Sequence, residues 1–577
     1  MSRALLALLL LSAVVDVRAA QTTAFVDVTV IPMDTERAVA HQTVLVRGDR
    51  IVEIGPSGAV AVPRNAARID GRGKFLMPGL ADMHVHLRTR NELILYVANG
   101  VTTVFNLNGA PVHLAWRGKT ASGQLLGPAI YTCGPKFDRP RTAEEAVREV
   151  DAQHEAGYDA VKIYAGVSKA EYPALLARAR QRGMFVVGHV PREVGFEATL
   201  AAGQALEHAE EFVYWYFNDT LDIDKLRFDE SRIPDAVAIT RRAGIWFTPT
   251  LVTYDQITQQ ADDLGAFLQR PEMRYIGLAL RERLGPENNL YKRGFTAEQV
   301  PKLKQNLAFQ KKLVRALHAA GVPMLAGTDA MGIGTVGGFS LLEELRNFVE
   351  CGFTPFEALR AATADAAGFF YASGEFGAVR EGLRADLILL NANPLADIAN
   401  LSRRAGVMVR GRWIAEAELQ KQVAALPAAY EQEERFVRTA LRDDPATAIR
   451  YLDENDTGGL SSYVLANIAR QNGAAAAAAI VKRIRSMAPN ATIVQERTIN
   501  TLGYQLLRTE RTADAIAIFT LNTELYPNAP NTYDSLAEAY AASGDTPRAV
   551  TMYQKALAVS PTYPNAPAAA EFIAKHR

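Results

Sequence analysis

The chain has 577 residues, 49% of them hydrophobic, with 63 basic and 63 acidic side chains. That length exceeds one ordinary domain, even a large barrel, and the balanced charge argues against a dedicated nucleic-acid surface. Cys133 and Cys351 are the only cysteines, so a disulfide framework is excluded, while the sequence leaves open whether these two pair.

The first residues stand apart. Arg3 precedes an apolar run over 4–15, and Val17-Arg18-Ala19 sets small residues around a cut after Ala19 or Ala20, the pattern of a secretory signal peptide over 1–20. No other stretch is apolar enough over the length a bilayer needs. The expectation is a secreted or periplasmic protein with no membrane span after cleavage. Next, 43–47 and 50–54 alternate around Gly48-Asp49, a favoured two-residue hairpin turn.

In Leu80-Ala81-Asp82-Met83-His84-Val85-His86, strand alternation turns both imidazoles to one face. Such a His-x-His pair is a ready chelate. Apolar, β-branched runs then recur at 100–104, 128–132, 160–164, 184–189, 205–208, 244–248 and 322–329, with helical periodicity between several of them, as at 143–156 and 170–182. Counting the His84 strand, eight strand–helix units predict a (β/α)8 barrel. His84, His86, Lys162, His189, His208 and Asp329 all fall at or just past strand ends, where such barrels gather their chemistry. A protonated Lys162 cannot ligate a cation and is costly to bury. Either it pairs with a carboxylate, or its neutral amine adds carbon dioxide to become a carbamate, with two anionic oxygens for two metals.

Strand parity also puts Tyr164 on the face of Lys162, as a candidate substrate contact or as packing inside the barrel. His113, placed on the loop after strand 2, is a second candidate contact. Tyr254 is a third, and with the long 256–307 connection it is expected to form a helical lid that sets specificity.

The motifs Pro78-Gly79-Leu80-Ala81-Asp82-Met83-His84-Val85-His86, Gly100-Val101-Thr102-Thr103, Val161-Lys162-Ile163-Tyr164, Gly188-His189-Val190, Glu207-His208, Thr248-Pro249-Thr250-Leu251 and Gly327-Thr328-Asp329-Ala330 resemble the amidohydrolase superfamily. The likeness is to its binuclear, lysine-containing branch, and within that to the imidazolonepropionase-like and Xaa-Pro dipeptidase-like members. The resemblance implies that His84, His86 and Asp329 hold one divalent metal, that His189 and His208 hold another, and that Lys162 bridges them as its carbamate. Zinc suits this mixed nitrogen and oxygen set, and manganese or cobalt is compatible with it. The resemblance further implies a metal-bridging hydroxide as nucleophile, with Asp329 as general base and then general acid. Where the family often carries an arginine and an aspartate after strand 2, this chain has Phe105-Asn106-Leu107-Asn108, so the family's substrate contacts do not transfer there. Strands before and after the barrel, at 385–390 and 407–414 in the latter case, are implied to combine into one small β-sandwich.

From about Gln422 the pattern is wholly helical. Leu502, Leu506, Ala515, Phe519 and Pro527 are followed 34 residues later by Leu536, Tyr540, Ala549, Tyr553 and Pro561, the tetratricopeptide period. The expected organisation is a signal peptide at 1–20, β-sandwich parts at 21–78 and 375–421, the barrel at 79–374, and a tetratricopeptide-like domain at 422–577. That last domain either binds a protein partner or another copy of the chain, or packs on the barrel. The leading expectation is an exported hydrolase of amide or peptide carbon–nitrogen bonds acting on small dipeptides such as Xaa-Pro. Opening of a cyclic amide such as an imidazolone or lactam, and a non-catalytic scaffold built on the repeats, are the alternatives.

Overall fold

A computed structural model describes residues 22–138, 141–561, 563 and 565–576; the expected signal peptide lies outside them. The first strands are β1 (Thr22–Val30), β2 (Val39–Arg47), β3 (Arg50–Pro56), β4 (Ala67–Asp70) and β5 (Phe75–Pro78). β2 and β3 pair antiparallel with Arg47 opposite Arg50. Gly48 and Asp49 therefore form the two-residue turn that the sequence predicts, with Gly48 at φ +60°, which favoured hairpin turns require.

Seven parallel strands follow. β6 (Leu80–Val85), β7 (Val101–Asn106) and β8 (Ala129–Thr132) make one sheet. A second contains β9 (Ala160–Ile163), β10 (Phe185–Gly188), β11 (Ala205–Glu207) and β12 (Phe247–Thr248). Parallel bridges Cys133–Ala160 and Phe137–Ile163 join the two sheets, and bridges Phe247–Met324 and Val85–Ala330 carry the pairing through an eighth segment back to β6. Every residue of β6 and β7 is buried, as expected of parallel strands covered on both faces.

The eighth segment, read from sequence as a strand over 322–329, pairs without a continuous ladder. Phe247 donates to the Pro323 carbonyl at 3.1 Å and Leu325 to that of Phe247 at 2.9 Å, while Met83 and Ala326, then Thr328 and His84, pair on the other side at 2.9 and 3.2 Å. Pro323 has no N–H to give, and the Ala326 N–H turns away to the Ala361 carbonyl. Helices fill the intervals. Thr142 and Glu145 cap the Ala143–Ala156 helix reciprocally, at 3.2 and 2.9 Å, each satisfying a donor that the helix leaves open.

Past these helices, β13 (Leu387–Leu390), β14 (Arg404–Val409) and β15 (Arg412–Ala415) join the N-terminal strands in one sheet, in the order β15-β14-β13-β5-β1-β2-β3, with β4 on β1. Phe25, Val44, Leu76, Leu387 and Met408 share its core.

The remainder is helical from Glu416–Ala424 onward. Helices beginning at Glu496 and Thr512 recur at Pro530 and Thr546, each 34 residues on, and this region has its own core that includes Val464, Leu502 and Phe519. It docks on the chain that follows β6 and β7. Trp116 Nε1 donates to the Glu454 carbonyl at 2.8 Å, Thr457 donates its N–H and its hydroxyl to the Arg88 carbonyl at 3.1 and 3.2 Å, and Arg470 pairs with Glu282. Both cysteines are free and buried. Among the described residues no helix is long and apolar enough to cross a membrane.

β10 ends at Gly188, at φ +148°, where an added Cβ would lie 2.0 Å from the Ile163 carbonyl oxygen of β9. Backbone cannot yield as a side chain can. Gly188→Ala is therefore expected to lower stability by about 1–3 kcal/mol, read as a fall in the thermal unfolding midpoint; an unchanged midpoint would contradict this packing.

Candidate metal centre

The ends of the parallel strands bring all six expected ligands together. His84 sits in β6 and His86 just beyond it, with ring centroids 5.3 Å apart, as strand alternation requires. Asp329, after the eighth segment, places its Oδ1 3.5 Å from His84 Nε2 and 2.7 Å from His86 Nε2. Ligand atoms of these three residues all lie within 4.8 Å of one another, a spacing one cation could span. His208, after β11, packs its ring 4.6 Å from that of His84 and 4.7 Å from that of His189. Lys162 projects from β9 and is 1% exposed. His208 and Asp329 have left-handed backbones, at φ 70° and 52°, an unfavourable conformation for such residues that the ring of strands holds in place.

The donor chemistry of this cluster fits a divalent cation. His84 Nδ1 meets Glu207 Oε2 at 2.7 Å, His189 Nδ1 meets Glu211 Oε1 at 2.9 Å, and His208 Nδ1 meets the Thr250 hydroxyl at 2.7 Å. A ring that gives its Nδ1–H to a carboxylate keeps an unprotonated Nε2 as a ligand atom. Burial, with the Lys162 charge second, holds the His84 imidazole well below its usual pKa; burial, with His189 second, does the same for His208. Both rings are therefore neutral, the form that binds metal. His84 Nε2, His86 Nδ1 and Lys162 Nζ are buried without a hydrogen-bond partner. Burial lowers the Lys162 pKa against the opposing pull of Glu207, which favours an uncharged amine. Burial alone would raise the Asp329 carboxyl, yet His86, bonded to it at 2.7 Å, brings it below the ordinary carboxylate range, so it remains anionic.

Several supporting residues escaped the sequence reading. Asp82 accepts from the Thr328 N–H and hydroxyl at 3.1 and 2.6 Å and from the His84 N–H at 3.3 Å, and burial pushes its pKa up to about 7. Its parity with His84 was the available clue. Glu207 stood inside a quoted motif, and burial raises it to about 8. Glu211 also accepts from the Val190 N–H at 2.9 Å, which ties β10 to the helix after β11.

The three expected substrate contacts fare differently. Tyr164 lies beside the centre, with its ring 4.2 Å from that of His189 and Lys136 Nζ 3.8 Å above it. His113 is not on a loop: it is in the Pro111–Ala121 helix. Its Nδ1 accepts from the Ala110 N–H at 2.9 Å and faces Asn106 Nδ2 at 3.1 Å, and its Nε2 donates to the Leu87 carbonyl at 3.0 Å. No ring nitrogen is left for a ligand. Tyr254 is 3% exposed and accepts from Asn306 at 2.6 Å, which pins the Leu251–Asp262 helix to the Val300–Ala319 helix. The long connection after β12 is indeed helical, and it walls a cavity of about 230 Å³ that opens at His86 and is also lined by Asn108, Arg283, Thr457, Arg497 and Arg508. The helical C-terminal region thus shares a cavity with His86, in line with its packing on the barrel.

Comparison with known proteins identifies the class. The amidohydrolase family model matches residues 75–414, more than half of the chain, and the chain belongs to that family, whose name denotes hydrolysis of amide-type carbon–nitrogen bonds. A provisionally assigned prolidase from Bifidobacterium longum superposes with a TM-score of 0.54 and 26% identity, over 71% of this chain and 99% of its own. A bottromycin amidohydrolase gives 0.57 at 22% identity, over 71% and 90%, and a Xaa-Pro dipeptidase with bound methionine gives 0.52 at 18%, over 68% and 100%; at those identities the likeness is one of fold. The imidazolonepropionase of Stenotrophomonas maltophilia (strain R551-3) is 53% identical over only 38 residues, 7% of this chain and 9% of that protein.

Partners of metal-binding imidazoles orient the rings and raise their basicity. Glu207→Gln and Glu211→Gln are each expected to weaken zinc binding about 10- to 100-fold, measured by competition with a chromogenic chelator. Unchanged affinity in both variants would show that these carboxylates do not support ligands.

Proposed function

We propose that this chain is an exported, metal-dependent amidohydrolase that cleaves the carbon–nitrogen bond of small dipeptides, with Xaa-Pro as the leading substrate class. The observation that carries the reading is the convergence of four histidines and Asp329 at the strand ends, with an unpartnered, buried Lys162 amine among them. In architectural terms we read the closed parallel pairing as a (β/α)8 barrel over 79–374, flanked by a composite β-sandwich at 21–78 and 375–421 and followed by a tetratricopeptide-like domain at 422–577.

In this reading His84, His86 and Asp329 hold one divalent cation, probed first as zinc, and His189 and His208 hold a second. The neutral Lys162 amine could add to the carbon of carbon dioxide with loss of a proton, and the carbamate so formed would supply two anionic oxygens as further metal ligands. Bound metal ions supply a lowered water pKa and polarisation of the scissile carbonyl. Asp329 receives the proton of the attacking water on its carboxylate and returns it to the leaving nitrogen. Tyr164, half-buried beside His189, offers a phenol O–H to a substrate carbonyl or carboxylate. Dipeptide chemistry is supported by the small cavity and by relatives named prolidase and Xaa-Pro dipeptidase. The short segment shared with an imidazolonepropionase favours a second reading, the opening of a cyclic amide.

Asp329→Asn is expected to lower kcat by about 10²- to 10⁴-fold with the thermal midpoint retained. Exhaustive chelation should abolish turnover, and restored divalent metal should return it. A panel of dipeptides and cyclic amides tests the substrate: preference for Xaa-Pro dipeptides supports the proposal, whereas turnover of cyclic amides alone overturns it in favour of the second reading.

A further inference from the structure

The cavity that opens at His86 carries four arginines: Arg88, Arg283, Arg497 and Arg508. Their bonds are few. Arg88 Nε donates to the Met331 carbonyl at 2.7 Å, Arg283 to that of Gly332, and Arg497 Nη2 to that of Thr457 at 3.0 Å, while Arg508 lies over the Tyr504 ring, 5.7 Å from its centroid. Among the described residues none of the four makes an ion pair within 4 Å, although Glu92 acts on Arg88 and Glu538 on Arg508 from further off. The single acidic residue in the lining, Glu282, is committed to Arg470. Burial, and after it the neighbouring Arg88, pushes the Arg283 pKa down to about 9.

Two of the arginines come from outside the family-matched segment. In the Glu496–Arg508 helix, Arg497, Thr501, Gln505 and Arg508 follow one another at intervals of four, four and three, so they form one stripe, and all four line the cavity. Thirty-four residues on, the corresponding positions are Asn531, Ser535, Ala539 and Ala542. The repeated helix thus keeps its packing without these charges, and only the copy that faces the metal centre carries them. Unpaired guanidinium groups around a concave site attract anions, and their planar fork matches a carboxylate bidentately.

We propose that the Glu496–Arg508 helix forms the specificity wall of the hydrolase: Arg497 and Arg508, with Arg88 and Arg283 opposite, bind the free carboxylate of a short substrate whose scissile amide lies at the metal centre. This rests on the amide-hydrolase reading and narrows it to small, C-terminally anionic substrates, since about 230 Å³ leaves little room beyond a dipeptide. Arg497 and Arg508 are specificity residues that touch no reacting atom.

The test uses the full-length, zinc-loaded protein with two matched pairs of probes. Calorimetry compares glutarate with its uncharged diamide, and kinetics compares Ala-Pro with its C-terminal amide. Binding of glutarate but not the diamide is expected, and the double variant Arg497→Gln/Arg508→Gln should weaken glutarate binding about 10- to 100-fold. It should raise the KM for Ala-Pro with little change in kcat, as loss of remote binding does. Arg508→Gln alone, which removes no hydrogen bond, should show part of the effect even if the double variant folds poorly, and Arg508→Lys should retain more binding than Arg508→Gln. Wild-type glutarate affinity in a folded double variant overturns the proposal, as does equal binding of the diamide. Arginine-dependent glutarate binding without Ala-Pro cleavage supports the wall and rejects the dipeptide reading; Ala-Pro cleavage indifferent to both arginines does the reverse.

Discussion

The buried carboxylate of Asp82, held by the Thr328 N–H and hydroxyl, ties the first parallel strand to the last parallel segment, and the site depends on that tie. β6 carries His84 and His86, while the eighth segment leads directly into Asp329. Backbone bonds from Met83 to Ala326 and from Thr328 to His84 pair the two elements, and the Asp82 side chain adds to them at the same register. Three hydrogen bonds offset the cost of burying this carboxylate. They also fix the register that places Asp329 Oδ1 within reach of both imidazoles. The same economy recurs at Glu207 and Glu211, where buried carboxylates orient His84 and His189 instead of exposed loops doing so.

A second constraint comes from the helical C-terminal region. Through Thr457 on the Arg88 carbonyl, Trp116 on Glu454 and Arg470 on Glu282, it is fastened to the chain that follows β6, to the helix after β7 and to the connection after β12. Those are the segments that border the metal centre. The helical C-terminal region is therefore part of the cavity as well as a packed appendage. This region lies beyond the family-matched residues, so whatever selectivity it adds belongs to this chain and not to the family as a whole.

The sequence made the strands legible because parallel strands buried on both faces are continuous apolar runs, and it made the clustering of the candidate residues legible because each lies at or just past the end of such a run. The parity of His84 and His86, the placement of Lys162 and the 34-residue period needed only local spacing. His113 and Tyr254 are held within the fold, although His113 still lines the cavity that opens at His86. A polar side chain near a strand end looks like a ligand contact until its partners are known, and here Leu87, Ala110 and Asn306 consume their polar atoms. The arginine wall was illegible because it is assembled from segments hundreds of residues apart. Its stripe in the Glu496–Arg508 helix reads locally as a solvated face. Only docking shows that it looks into a cavity.

Everything in the proposed chemistry requires that these strand ends hold divalent metal, with Lys162 among the ligands. The most direct test of that requirement is elemental analysis of the purified full-length protein reconstituted with zinc, beside His84→Ala and Lys162→Met variants. Two equivalents of metal are expected in the wild type, with loss of at least one in each variant. Wild-type protein that retains no divalent metal after reconstitution, or variants that bind as much as the wild type, would contradict it.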